Sequence, residues 1–82
     1  MASKRFENGS EEFLLFQDFW RLCQKHWIVE DRDGYWNSLV NDVTAFCEKY
    51  AEFEKVFAVK IAFALLESRE EKHKAEGAKP AG

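Results

Sequence analysis

Apolar residues in the first third of the chain recur in steps of three and four, the spacing of one helix face. This pattern predicts a helix from about Glu11 to Trp27, with Ser10 as its N-cap and two acids in the first turn, where they suit the positive end of the helix dipole. We expect a buried seam made of Phe13, Phe16, Trp20, Cys23 and Trp27, widened by Leu15, Phe19 and Leu22. Leu14 lies apart from this stripe, among polar residues.

A second amphipathic pattern follows an acidic connection that contains Gly34. The second helix should start near Arg32 and end near Ala51. Asp31 or Asp33 is expected to cap its N-terminus. Its apolar stripe is narrow and consists of Trp36, Leu39, Val40, Val43, Phe46, Cys47 and Tyr50. A narrow stripe indicates a peripheral helix that packs on one side only.

The third pattern starts at Phe53, and Lys60 is the only polar residue between Val56 and Leu66. We expect a helix that is apolar on nearly every side and continues to about Lys74. Two faces of large residues lie nearly opposite each other, one formed by Phe57, Ile61 and Leu65 and the other by Val59, Phe63 and Leu66. Neighbouring helices can cover one face, so the other is left for self-association or a partner, and the pattern leaves open which face is inward.

The break between the second and third helices is inferred from a change of helical phase between Tyr50 and Glu54, since this stretch contains neither Gly nor Pro. One continuous helix over residues 32–74 is the alternative. The elements together predict an all-α fold, a compact three-helix bundle over residues 10–74, with a flexible leader over residues 1–9 and a flexible tail over residues 75–82.

Composition agrees with one small helical domain. The chain has 82 residues, a length at which a single core gives marginal stability unless packing is dense or the chain oligomerises. Aromatic residues make up 16% of it, and each buried ring contributes a large apolar area. A packed core is therefore attainable.

Charge and hydropathy narrow the classes of function. The net charge is −3 and basic residues are interspersed with acids, which disfavours nucleic acid as a direct partner. No apolar run reaches the roughly 18 to 20 residues that cross a bilayer, and no signal-like segment opens the chain, so we expect no membrane association and a soluble, cytoplasmic protein. Cys23 and Cys47 both lie on apolar stripes and are expected to be reduced, buried thiols.

The acidic connection and the Cys23–His26 pair could carry chemistry, but each has a simpler interpretation. In a calcium-binding loop with Gly34 at its sixth position, Val29 would be the first residue and Val40 the twelfth. Both positions must supply side-chain oxygen ligands, and valine has none. Cys23 and His26 are three residues apart, but a closed zinc site needs four ligands, and nothing in the sequence lowers the pKa of the thiol for nucleophilic catalysis. Helix capping and core packing explain both groups.

Acid pairs such as Glu11 with Glu12 could bind magnesium only if they faced the interior of a bundle, and they lie at helix ends or on wet faces. We therefore expect no catalytic residue, no metal site, no cofactor and no enzymatic activity. Aromatic residues beside the acidic turn, Trp27, Tyr35 and Trp36, could form a recognition patch for basic groups. The simpler interpretation is that Trp27 and Trp36 clamp the first helix to the second.

The chain also contains a distinctive series of positions: Phe19-Trp20, Ile28-Val29-Glu30-Asp31, Tyr35-Trp36, Lys49-Tyr50, Phe57-Ala58 and Ile61 to Leu66. Across residues 13–70 this series resembles small uncharacterised helical proteins of Gram-positive bacteria and their phages or mobile elements. The resemblance rests on spacing and aromatic positions, so it carries over no active-site residue. It implies a compact helical accessory protein.

These features favour a non-enzymatic helical protein–protein interaction module that forms a homodimer, with another protein as a further partner. The residues expected at the interface are Val59, Phe63 and Leu66, with Leu14, Leu15, Leu22, Trp27, Tyr35 and Trp36 as further candidates. The alternative from another class is a small nucleic-acid-binding regulator that acts as a dimer. A metal-dependent hydrolase is a third hypothesis.

Overall fold

The computed structural model describes residues 2–77, and within them the chain forms three helices and no strand. The helices are α1 (Glu11–His26), α2 (Asp33–Lys49) and α3 (Lys55–Gly77). Each helix contacts the other two. The predicted all-α class and three-helix bundle are confirmed.

The N-terminus of α1 is built as the sequence predicts. The hydroxyl of Ser10 accepts a hydrogen bond from the backbone N–H of Phe13 at 3.2 Å, which satisfies one of the free donors of the first turn. Glu11 and Glu12 occupy that turn, and Lys25 and His26 occupy the last one, an arrangement that suits the helix dipole at both ends.

The start of α2 differs from the prediction. Arg32 is its N-cap residue and makes no side-chain cap, while Asp33 is already the first helical residue, so the expected aspartate cap is wrong. Arg32 Nε instead donates to the carboxylate of Glu30 at 2.6 Å. The hydroxyl of Tyr35 donates to the backbone carbonyl of His26 at 2.7 Å, which ties the first turn of α2 to the end of α1.

The chain reverses between α2 and α3 without glycine or proline. The N–H of Phe53 donates to the carbonyl of Tyr50 at 3.2 Å, and Glu54 adopts a left-handed conformation with φ of 49°. This turn confirms two separate helices and excludes one continuous helix over residues 32–74. The third helix ends at Gly77, past the expected end near Lys74. Residues 78–82 of the predicted tail, and Met1 of the leader, lie outside the described residues.

The core is formed by one face of each helix. Its members are Leu15 and Leu22 from α1, Tyr35, Leu39, Val43 and Phe46 from α2, Tyr50 from the following turn, and Ala58, Ala62 and Leu65 from α3. Ala58 and Ala62 are completely buried, because small side chains let α3 approach its neighbours closely. The inward line of α3 therefore runs between the two predicted faces of large residues. Phe57 and Phe63, one from each predicted face, are exposed.

The buried face of α1 is also different from the predicted seam. Leu15, Leu22 and His26 are buried, with Phe19 packed beside them, whereas Phe13, Phe16, Trp20 and Trp27 are exposed. Both lines of residues have helical spacing and lie side by side on the helix. The line that contains a histidine is the one that faces the core, because α2 supplies that histidine with a polar partner.

Candidate protein-interaction surface

The aromatic line along α1, here called the α1 aromatic stripe, consists of the exposed residues Phe13, Phe16, Trp20 and Trp27, with the partly buried Cys23 between the two tryptophans. Trp20 lies at its centre and is 67% exposed. The ring of Phe57 on α3 meets Phe16 edge to face, with centroids 5.7 Å apart, and so continues the apolar surface onto the next helix.

Both ends of the stripe are held in place by neighbouring segments. At the N-terminal end, the ring of Phe6 stacks on Phe16 with centroids 5.6 Å apart. At the other end, the guanidinium of Arg69 lies over the ring of Trp27, 4.6 Å from its centroid, and Arg69 Nη1 donates to the Trp27 carbonyl at 2.6 Å. Contacts of this kind restrict the rings before any partner arrives, which lowers the entropic cost of binding.

The surface of the stripe is uncharged at its centre. Two shallow depressions follow it, one lined by Phe6, Phe13, Phe16, Gln17 and Trp20 and the other by Trp20, Cys23, Gln24, Trp27 and Ile28. The only polar side chains in either lining are the two glutamines, which carry no charge. The centre of this surface can therefore be covered without the desolvation of an ion, while the charged Arg69 lies at its Trp27 end.

The extent of the stripe is comparable with that of a functional patch. Its four rings and Phe57 are about half exposed, which leaves roughly 500 Å² of aromatic surface in water if each ring offers about 200 Å². A typical monomer has a largest apolar patch of about 300 to 600 Å², and such patches are often functional. Phe6 and Ile28 enlarge the stripe at its two ends.

The opposite side of α1 carries polar contacts with α2. His26 is buried, and its Nε2 lies 2.7 Å from the carboxylate of Asp42, which also receives Lys25 Nζ at 2.8 Å. Burial alone would raise the pKa of Asp42, but the hydrogen bonds from Lys25 and His26 outweigh burial, and the pKa lies below its usual value. This contact holds the C-terminal end of α1 against the middle of α2.

A second polar contact lies two turns away. Asp18 accepts from Lys49 Nζ at 2.7 Å and from the hydroxyl of Tyr50 at 2.5 Å. Burial acts to raise the pKa of Asp18, but these two donors outweigh it and the pKa is lowered, while burial and the nearby carboxylate raise the pKa of Tyr50. Lys25 and Lys49 are thus paired at the surface with acids of the same chain, which weakens the groove between α1 and α2 as a site for nucleic acid.

The candidate interface residues of α1 and α2 fall into three environments. Leu15, Leu22 and Tyr35 are buried in the core and offer a partner no surface. Trp36 packs partly against the core and meets the rings of Tyr35 and His73 at 4.8 and 5.4 Å. Leu14 and Trp27 are exposed. The two tryptophans at the corner therefore have different partners, Arg69 for Trp27 and His73 for Trp36.

On α3, the expected interface is only partly at the surface. Phe63 is 46% exposed, Val59 is partly buried, and Leu66 is partly buried and packs against the core. The sequence alone does not identify the α1 aromatic stripe as a surface. Its apolar residues have the spacing of one helix face, and the pattern predicts that this face is buried.

The thiols and the histidine considered for chemistry pack within the helical bundle. Cys23 and Cys47 are free thiols whose pKa values are raised by burial, which disfavours the nucleophilic thiolate. His26 pairs with Asp42. Among residues 2–77, no group of three or more His, Cys, Asp and Glu side chains is arranged to hold a metal ion.

None of the described helices combines the length and the hydropathy needed to cross a membrane. Comparisons with protein families, with curated proteins and with solved structures found no match to this chain.

Proposed function

We propose that this chain is a non-enzymatic protein–protein interaction module that self-associates through the α1 aromatic stripe. The observation that carries the proposal is the exposure of Phe13, Phe16, Trp20 and Trp27 along one uncharged helix face. Exposed aromatic residues gathered in one patch are characteristic of interfaces, where Trp in particular contributes much of the binding energy.

A second copy of the chain suits this surface for two reasons. Each copy has a net charge of −3, so association is favoured where the copies meet without charged groups, as at the stripe. Trp20 is the midpoint between Phe13 and Trp27, so a two-fold axis near Trp20 would lay the stripe antiparallel along its own copy. A stable interface covers about 800 Å² on each partner, a size that the stripe approaches with its extensions at Phe6 and Ile28.

We also propose that the protein is located in the cytoplasm. Two free cysteines support it, because a reducing compartment keeps thiols unpaired.

A matched pair of variants tests which surface associates. Trp20→Glu places a charge at the centre of the stripe, and Phe63→Glu places the same charge on the exposed face of α3. We expect sedimentation equilibrium to give the monomer mass for Trp20→Glu and the wild-type mass for Phe63→Glu, since a charge at the centre of a buried patch is costly to desolvate.

The reverse pattern would move the interface to α3, around Val59 and Phe63, and would contradict association through the stripe. Circular dichroism of both variants checks that the helices are intact. Both substitutions are at exposed positions, so we expect little change in folding.

A further inference from the structure

A groove between α1 and the start of α3 combines apolar walls with an acidic rim. Leu15 and Phe16 form its α1 side, and Phe53 and Phe57 form the other. The carboxylate-bearing residues Glu12 and Glu54 line the same groove. Apolar walls beside carboxylates suit a ligand that is both aromatic and basic.

The N-terminal leader of the chain forms part of the wall of this groove and covers some of its α1 side. Lys4 and Phe6 belong to its lining, and residues 2–6 have no helix or strand. Phe6 stacks on Phe16, and Lys4 Nζ contacts the carboxylate of Glu12. The segment therefore places a basic side chain and, two positions later, an aromatic one on complementary parts of the site.

The leader is more exposed than the helices that follow it. Residues 2–9 are all exposed, Phe6 and the Lys4 side chain among them, and the Glu12 carboxylate that Lys4 contacts is itself partly exposed. An exposed ion pair of this kind contributes little binding energy. Gly9 precedes the N-cap of α1 and has a φ of 88°, a conformation that glycine adopts without strain. The leader therefore turns away from the helix axis at this residue.

We infer that the groove between α1 and α3 is a binding site for an extended peptide segment that carries a basic residue two positions before an aromatic residue, and that the leader covers part of this site within the same chain. A segment of a partner protein with the same chemistry binds by displacing Lys4 and Phe6. The groove is complete within one copy of the chain, although Phe16 and Phe57 also belong to the apolar surface proposed for self-association.

The test uses the leader itself as the ligand. A dye-labelled peptide with the sequence of residues 2–8, Ala-Ser-Lys-Arg-Phe-Glu-Asn, is titrated with the full chain and followed by fluorescence anisotropy. Phe6→Ala uncovers the ring of Phe16 in the groove, and Phe63→Ala removes a comparably exposed phenylalanine from α3. We expect Phe6→Ala to bind the peptide at least about tenfold more tightly than either the wild type or Phe63→Ala, because a tethered leader competes at millimolar effective concentration.

Two further variants show that binding occurs in the groove. Adding Phe57→Ala to Phe6→Ala removes an aromatic wall and should abolish the gain in affinity, as should a peptide with alanine in place of its phenylalanine. Adding Glu12→Gln should weaken binding and reduce its dependence on salt. The inference is overturned if Phe6→Ala binds no more tightly than the wild type while its circular dichroism spectrum shows intact helices, or if the alanine peptide binds equally well.

Failure of this inference is distinguishable from failure of the proposed self-association. Adding Trp20→Glu to Phe6→Ala changes the stripe and leaves the lining of the groove unchanged, so the peptide should bind this double variant at least as tightly as Phe6→Ala. Loss of binding there would contradict a site that is complete within one copy. The sedimentation mass of the chain without peptide reports on self-association separately.

Discussion

At the scale of single residues, the least predictable feature is the buried histidine of α1. His26 is 2% exposed, and its Nε2–H donates to Asp42, since a carboxylate only accepts. A hydrophobic pattern counts histidine as polar, so the apolar line through Leu15 and Leu22 stops one turn before the end of the helix. The aromatic line runs the full length of the helix, and the pattern therefore favours it as the buried side. The partner is 16 residues away in sequence and on another helix, a relationship that no local spacing reveals.

The carboxylates of Asp18 and Asp42 make stability depend on acid. Both pKa values are lowered in the folded protein relative to the usual 3.8, so protons bind the unfolded chain more tightly. Their contribution is complete above about pH 4 and is lost as the pH falls through the lowered folded values. The free energy of unfolding of the wild type should decrease between pH 4 and pH 2. We expect this decrease to be smaller by about 1 to 2 kcal/mol in the double variant Asp18→Asn with Asp42→Asn.

Urea unfolding across this pH range measures the effect. Glu52→Gln, at an exposed turn residue, is the control and should keep the wild-type slope. A residual slope is expected in the double variant, because Lys4 and Arg32 also lower the pKa values of Glu12 and Glu30. An unchanged slope in the double variant would mean that the two contacts between α1 and α2 do not favour the charged carboxylates.

At the scale of the helices, the sequence predicts number, type, approximate ends and the inward side of α2, where Leu39, Val43 and Phe46 are buried as expected, but not the inward sides of α1 and α3. Caps and charges are local, so the start of α1 at Ser10 could be read directly. The inward line of α3 could not, because it passes through Ala58 and Ala62, and alanines look neutral beside large residues. Their importance lies in the close approach of the helix backbones, which is a property of the assembled bundle.

Because Ala62 faces the core and Ala64 faces solvent, a larger side chain should affect stability differently at these two positions. Ala62→Leu inserts a large side chain where α3 meets the core, and we expect it to lower the free energy of unfolding by about 1 to 3 kcal/mol. Ala64→Leu makes the same change at an exposed position and should stay within about 0.5 kcal/mol of the wild type. Equal effects at both positions, measured by urea unfolding, would contradict the packing of α3 described above.

At the scale of the whole molecule, three helices leave a large apolar surface uncovered. A surplus of apolar residues could be predicted from the composition of the third helix, but its location could not. Small side chains let α3 bury its alanine line, while the Asp42 contact turns His26 and Leu22 inward and α1 presents its aromatic rings to solvent. The candidate interface thus depends on how the helices pack, a property that residue spacing does not fix.

The mass of the wild-type protein in solution tests the central claim most directly. One chain has a mass of 9.6 kDa, and association through the stripe predicts about twice that value by sedimentation equilibrium at roughly 10 to 100 µM, with dissociation on dilution. A mass of 9.6 kDa throughout that range would contradict self-association, and the α1 aromatic stripe would then be the exposed surface of a monomer.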